Sequence, residues 1–370
     1  MSARRIFISG GGTGGHIFPA IAIANALKEK LPDADILFIG AEGRMEMERV
    51  PQAGYPIVGL PIAGFQRSHF LKNISLPYKV MQSMFRAYRL VKLHRPCVAI
   101  GVGGYASFPV LQAAALCGVP TVIQEQNSYA GITNRILGKT ARLICTAYEG
   151  MEKFFPVKNI LLTGNPVRKE IADIRVTREE GCAYYQLNPA MKTLLVTGGS
   201  LGARTINHSI LAGLRAIYES DVQVLWQTGR MYYEECAAAA AGYTRVQVHR
   251  FLDRMDMAYA CADVIISRAG ALSIAELQCV GKPAILVPSP NVAEDHQTHN
   301  AMSLVRKQAA LMIRDDEAHL KLVPSALDLL RNEVHRKTLS ENIRSMARPY
   351  AAEQIADAVM RIAGLLNDKS

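Results

Sequence analysis

Short apolar runs alternate with longer segments of helical period along the whole chain. "ILFIG", "CVAIGVGG" and "TVIQEQ" come first, followed by "TLLVTGG", "VQVLWQTG", "VIISRAG" and "AILVPS". Most are apolar at successive positions instead of every second one. That is the pattern of strands covered on both faces, as in parallel sheets flanked by helices. The pattern restarts midway. "IFISGGGTGGH" and "LLVTGGSLGAR" are each a strand, a glycine-rich turn and a helix start, about 190 residues apart. Two such starts predict an α/β chain of two doubly wound, Rossmann-like domains, residues 1–163 and 164–347. The Asn-Pro turn in "TGNPVRKEI" marks the hinge. From Arg348 onward, "RPYAAEQIADAVMRIAGLL" predicts a closing amphipathic helix.

Composition describes an ordinary globular protein, 49% hydrophobic and 20% charged, which excludes a disordered chain. Stretches such as "FPVLQAAALCGVPTVI" fall short of a membrane span, and a strand so near Met1 leads to the expectation of no signal peptide. The seven cysteines form no CxxC pair, so reduced core thiols are expected, and no structural zinc. The charge changes the picture once it is divided. Residues 1–163 hold 18 Lys/Arg against nine Asp/Glu, and the remainder 24 against 23. Positions 65–95 carry seven basic residues and no acidic one: Arg67, Lys72, Lys79, Arg86, Arg89, Lys92 and Arg95. An anionic partner follows, either nucleic acid or a membrane surface. Met81, Met84, Tyr88 and Val91 share one helical stripe, which reads as core. The apolar Phe65 and Phe70 beside Arg67 and Lys72 favour docking on anionic lipid, with Lys79, Arg86, Arg89 and Lys92 contributing.

The chemistry concentrates in the loops. Gly10, Gly12 and Gly15 satisfy GxGxxG between strand and helix, a dinucleotide fingerprint. The extra Gly11 and Gly14, with Thr13, instead clear room for a bulky group on the backbone amides. The acid expected after the second strand is represented only by Glu42. His16 follows at the helix start, where the dipole favours a neutral imidazole; it reads either as a general base or as a helix-capping histidine. "TGGSLGAR" is short and fits one diphosphate, held by Ser200, helix amides and Arg168, while Arg204 reads as a surface residue. In "ISRAGALSIAEL", Glu276 is placed either to accept ribose hydroxyls or to complement the helix dipole. His296 and His299 in "NVAEDHQTHN" lack the HExxH spacing, so a sugar-binding loop is expected there and no metal.

In chain order, "GGGTGGHIFPA", "GVGGYASFP", "EQNSYAGITN", "TGNPVR", "VTGGSLGARTIN", "FLDRMDMAYACADVIISRAGALSIAEL" and "AEDHQTHNA" resemble the MurG family of bacterial UDP-N-acetylglucosamine transferases. The resemblance runs from Ile6 to about Ala301. It implies a GT-B fold, two Rossmann-like domains facing a cleft, with the C-terminal helix (about 348–370) returning to the first. It also implies transfer of N-acetylglucosamine, with inversion, to the C4 hydroxyl of undecaprenyl-pyrophosphoryl-N-acetylmuramyl-pentapeptide (lipid I), making lipid II. Thr13, Gly14, Gly15 and Asn127 would touch the UDP-N-acetylglucosamine donor from the first domain. Arg168 and Ser200 would hold its diphosphate, Leu252 would meet the uracil, and Gln297 the sugar. Ala271, Leu272, Ser273, Ile274, Ala275 and Glu276 would cradle the nucleotide, with Glu276 on the ribose. The acceptor would meet Gly11, Gly12, Gly103, Gly104, Tyr105 and Glu125, with His16 as candidate base. One departure is Gln124, where many members have histidine.

The expectation is therefore a peripheral enzyme on the cytoplasmic face of the inner membrane, using no cofactor and binding no nucleic acid. A UDP-N-acetylglucosamine 2-epimerase shares the logic of the second domain and leaves the basic stretch unexplained. An NAD-dependent dehydrogenase accounts for the first loop only, and a nucleic-acid binder only for the charge.

Overall fold

The computed structural model describes residues 4–64, 76–199 and 201–366. Phe65, Arg67, Phe70, Lys72 and Ser200 lie outside the described residues. The chain divides into two compact units, 1–167 with 350–370, and 168–349. The break falls a few residues after the expected 163/164. Thr163 and Gly164 still donate backbone N–H groups to Thr146, and the Asn165 amide donates to the Gln126 carbonyl at 2.9 Å.

In unit 1 the described strands are β1 (Arg5–Ser9), β2 (Asp35–Ala41), β3 (Ile57–Leu60), β4 (Val98–Gly101), β5 (Thr121–Glu125), β6 (Leu143–Thr146) and β7 (Ile160–Leu162). They form one parallel sheet in the order β3-β2-β1-β4-β5-β6-β7. Ile6, Phe7 and Ile8 are successive and all fully buried, so both faces of β1 are covered, as the unalternating run predicts. One face packs on the helix Gly14–Lys30 and the closing helix Ala351–Ile362. There Ile355, Val359 and Met360 share a core with Ile17, Ile23 and Leu27. Burying side chains of this size stabilises by roughly 1.5–3 kcal/mol each, so the C-terminal helix is an integral part of unit 1.

Unit 2 repeats the plan with β8 (Lys192–Thr197), β9 (Val222–Gln227), β10 (Val246–His249), β11 (Val264–Ser267), β12 (Ala284–Leu286) and β13 (Leu311–Met312), in the order β10-β9-β8-β11-β12-β13, all parallel. In each unit the strand order reverses beside the first strand, between β1 and β4 and between β8 and β11. Doubly wound sheets bind ligands at the carboxyl ends of such strands. The glycine-rich loops "GGGTGG" and "VGGY", and Gly198 and Gly199 after β8, all follow strands at those ends.

The basic helix Leu76–His94 departs from the expected stripe. Its buried side is Ser83, Ala87 and Val91, small residues that let it approach the helix Ser107–Leu116 closely. Met81 is instead 67% exposed and Phe85 63%, with Tyr78 and Tyr88 on the same open side. The Arg89 guanidinium lies 5.8 Å from the Phe85 ring and the Lys92 ammonium 5.6 Å from the Tyr88 ring. Arg86 pairs with Glu42 at 2.7 Å, both side chains being half-exposed. No helix among the described residues is long and apolar enough to cross a membrane.

Candidate functional site

The first glycine loop is built around a carboxylate that sequence reasoning missed. Glu46 is only 1% exposed; its Oε2 accepts from Gly12 N and its Oε1 from Ala41 N, both at 3.0 Å. A side chain at Gly11 would collide with it, since a Cβ there would lie 2.0 Å from Glu46 Oε1. Gly12 has a φ of +88°, a conformation open to glycine at little cost. The Gly12 amide is therefore committed to Glu46. The amides left for an anion are those heading the helix, at Gly14 and Gly15. The available signal was an acid in "RMEME" just beyond the second strand, but spacing alone could not separate Glu46 from Glu42 or Glu48.

His16 sits in the first turn of that helix, half-buried. Its Nδ1 lies 3.2 Å from the Gly11 carbonyl and 3.2 Å from Thr13 Oγ1. A carbonyl only accepts, so the neutral ring is assigned with its proton on Nδ1 and with Nε2 as the basic nitrogen. The ring edge rests on bare backbone: a Cβ at Gly103 would fall 3.0 Å from Nε2. Gly103 and Gly104 both have positive φ, +94° and +78°. A Cβ at Gly104 would meet the Gly11 carbonyl oxygen at 2.4 Å, so the two glycine turns are in contact and His16 lies over their junction. Tyr105 packs its ring beside Gly12 and Gly64; burial raises its phenol above the ordinary range.

Glu125 behaves differently from its expected part as an acceptor contact. It is 2% exposed, and its oxygens accept from Asn127 N at 3.0 Å, Asn134 Nδ2 at 2.8 Å and Gly131 N at 3.2 Å. Burial pushes its carboxyl up, against these hydrogen bonds. The carboxylate is consumed in shaping its own loop, and what the loop presents is Asn127. Gln124 donates to Asn165 Oδ1 at 2.9 Å and is fully buried, so it too acts in the frame of the site.

In unit 2, Gly202 is pressed against the turn at Thr228 and Gly229. A Cβ on Gly202 would lie 2.1 Å from the Thr228 carbonyl oxygen, and one on Gly229 2.3 Å from Gly202 N. Gly199, by contrast, has open space around it. Buried Asn207 locks the pair, accepting from Trp226 Nε1 at 3.0 Å and donating to the Thr228 carbonyl at 2.9 Å. Arg204 is exposed. Arg168 Nε and Nη2 donate to Glu276 Oε1 at 3.2 and 3.0 Å, and the Tyr259 hydroxyl donates to Glu276 Oε2 at 3.0 Å. The two residues expected to hold diphosphate and ribose are thus paired with each other.

Glu276 belongs to the helix Ala271–Val280, capped by Gly270. The periodicity of that helix divides the expected cradle. Ala271, Leu272, Ser273 and Glu276 reach the surface in part, whereas Ile274 and Ala275 are buried and can offer a ligand no side-chain surface. Arg268, also missed, secures the helix start: it donates to the Val287 and Pro288 carbonyls at 3.1 and 3.2 Å and pairs with Asp315. Leu252 N is already donated to Gln227 Oε1 at 2.9 Å. A base docking there must use the Leu252 carbonyl or displace Gln227. Gln297 Oε1 accepts from Ser289 N at 2.8 Å, and the preceding Glu294 and Asp295 both have positive φ, 55° and 48°. Among the described residues no three His, Cys, Asp or Glu side chains gather as a metal site.

Two family models match: the glycosyltransferase family 28 N-terminal domain over residues 6–146 and its C-terminal domain over residues 193–360. A UDP-N-acetylglucosamine--N-acetylmuramyl-(pentapeptide) pyrophosphoryl-undecaprenol N-acetylglucosamine transferase of Parabacteroides distasonis is 54% identical, over 98% of this chain and 99% of its own length. The crystal structure of Acinetobacter baumannii MurG superposes with a TM-score of 0.79 at 28% identity, covering 97% of this chain and 99% of that one. A structure titled as a putative UDP-N-acetylglucosamine 2-epimerase from Listeria monocytogenes gives 0.69 at 14% identity, covering 100% and 99%. At that identity the similarity is one of fold alone.

Proposed function

The chain belongs to the MurG family of glycosyltransferases, and from that premise we propose how its residues divide the work. It is a UDP-N-acetylglucosamine-dependent enzyme with the GT-B fold that moves N-acetylglucosamine onto the C4 hydroxyl of the muramyl sugar of lipid I, making lipid II for peptidoglycan. His16 Nε2 takes the proton of that hydroxyl. The freed oxygen attacks C1 of the donor sugar while the bond from C1 to the β-phosphate oxygen breaks, and the electron pair leaves on UDP. One displacement inverts the anomeric centre. Arg168, Ser200 and the amides at the start of the helix Arg204–Glu219 meet the growing diphosphate charge. Gln297 meets the donor sugar. The acceptor lies on Gly11, Gly103, Gly104 and Tyr105, with Gly12 held in place beneath it by Glu46.

The observation that carries this reading is the anchoring of His16. With Nδ1 on the Gly11 carbonyl, the Nε2 edge of the ring is directed onto the backbone of Gly103. Turnover of His16→Ala on UDP-N-acetylglucosamine and a short-chain lipid I analogue tests it. Loss of a general base costs about 10²–10⁴-fold in kcat, with the donor KM nearly unchanged. A fall of less than about fivefold in a folded variant removes His16 from the chemistry.

Access to a lipid-linked acceptor is the part of the helix Leu76–His94. Met81 and Phe85 insert among anionic headgroups while Lys79, Arg89 and Lys92 meet their charge, each basic residue contributing about 1 kcal/mol. The protein then sits reversibly on the cytoplasmic face of the inner membrane.

A further inference from the structure

Glu276 is held from two sides, and the two holders differ in what they can do. Arg168 is half-exposed on its side chain, 49%, and is free to turn toward an incoming anion. Tyr259 is 2% exposed on the helix Met255–Cys261, so its ring has no alternative position. Burial first, and then the Glu276 carboxylate, raise its phenol well above the ordinary range. It stays protonated and remains a donor at any working pH.

A carboxylate offers about four lone-pair positions. Tyr259 occupies one on Oε2, and Arg168 approaches Oε1 with two N–H groups. A glutamate side chain has three rotatable bonds, and a ligand that must first immobilise it binds less tightly than one meeting a fixed group. With Oε2 anchored, the carboxylate plane is set, and the lone pairs that remain point in fixed directions. A diphosphate competing for Arg168 frees Oε1 and leaves Oε2 where it was.

We propose that Tyr259 is a positioning residue for donor specificity: by anchoring Glu276 Oε2 it aims the carboxylate at the two ribose hydroxyls, and so sets the preference for ribonucleotide over 2′-deoxyribonucleotide donors. This rests on the reading of Glu276 as the ribose-binding group.

The test compares UDP-N-acetylglucosamine with its 2′-deoxyuridine counterpart on the full-length protein, native and Tyr259→Phe. The native enzyme is expected to prefer the ribonucleotide. The variant is expected to raise the KM for that donor about three- to tenfold, the value of one net hydrogen bond, with kcat within about twofold. Its KM for the deoxy donor, which keeps only the 3′ hydroxyl, should rise less than that for the ribonucleotide, so the preference shrinks. If the native enzyme shows no preference, the reading of Glu276 fails and this proposal with it. If the native enzyme discriminates and Tyr259→Phe discriminates equally, Glu276 keeps its role and Tyr259 has no part in donor choice. A joint fall of kcat and of affinity for both donors would equally overturn the proposal, as the mark of a merely structural tyrosine. Should the phenylalanine variant not fold, 3-fluorotyrosine at position 259 keeps the ring and strengthens the O–H donor. The preference should then widen, and an unchanged preference refutes the proposal.

Discussion

Replacing Arg168 with methionine separates two effects that a simple loss of charge would confound. The guanidinium is paired with Glu276 through two N–H groups, but 49% of its side chain meets solvent. Screening limits such a pair to about 1 kcal/mol or less, so Arg168→Met should lower the Tm by no more than about 2–4 °C. Binding should respond far more, and with opposite signs for two ligands. UDP loses charge-assisted hydrogen bonds of about 1.5–3 kcal/mol, weakening its Kd roughly 10- to 150-fold. Uridine has no phosphate and meets a Glu276 no longer occupied on Oε1. Its affinity should stay level or improve by up to about fivefold, the equivalent of the released pair. Isothermal titration of both ligands against native and variant protein reads this directly. A parallel loss of uridine and UDP affinity would refute the exchange, and so would a collapse in Tm.

Three further outcomes follow from other parts of the structure. Reversing Arg89 and Lys92 to glutamate together with Phe85→Ser should abolish sedimentation with phosphatidylglycerol vesicles and spare turnover of a water-soluble acceptor; Arg86 is left in place because it holds Glu42. Binding that persists at low salt would show that this helix is not the docking surface. Burial lowers the pKa of Lys282, partly opposed by Asp263. Between that lowered value and the ordinary 10.5 the unfolded chain binds more protons, so native stability should rise with pH across the window. Lys282→Met should remove this slope, and a variant whose stability by urea titration still rises with pH across the same window would contradict it. At Glu294, with φ of 55°, glycine should be more stable than alanine by about 1 kcal/mol, the reverse of an ordinary position; a calorimetric Tm order of alanine above glycine would disprove the strain.

The features legible in the sequence were those imposed by backbone geometry. Gly12, Gly103, Gly202 and Gly229 stand where positive φ is needed, and the glycine-rich turns after apolar runs mark the start of each doubly wound unit in the sequence. Features created by approach in space were not legible. Glu46 is one acid among three in "EGRMEMER", and only the return of β2 beside β1 brings it under Gly12. A helical stripe reveals its period but not its partner. On the helix Leu76–His94 the small Ser83 and Ala87 won the packed side, and Met81 was left outside. Ile274 and Ala275 lay inside a segment transferred whole by resemblance, yet a helix cannot turn six consecutive side chains to one face. The strands β7 and β13, with three and two residues, are too short to carry any pattern.

The return of the helix Ala351–Ile362 to the first unit has a consequence for how the protein is made. Unit 1 is discontinuous in the chain, while unit 2 is one uninterrupted segment. On a ribosome adding about 5–20 residues per second, the helix Gly14–Lys30 emerges early and then waits on the order of ten seconds or more for Ile355 and Val359. Through that interval Ile17, Ile23 and Leu27 are only partly covered, and this greasy seam is open to chaperones and to other nascent chains. Unit 2 has no such dependence and can mature while still tethered. The last part synthesised therefore closes the first, and a polypeptide ending at about Pro349 would have a complete second unit and a first unit prone to aggregation.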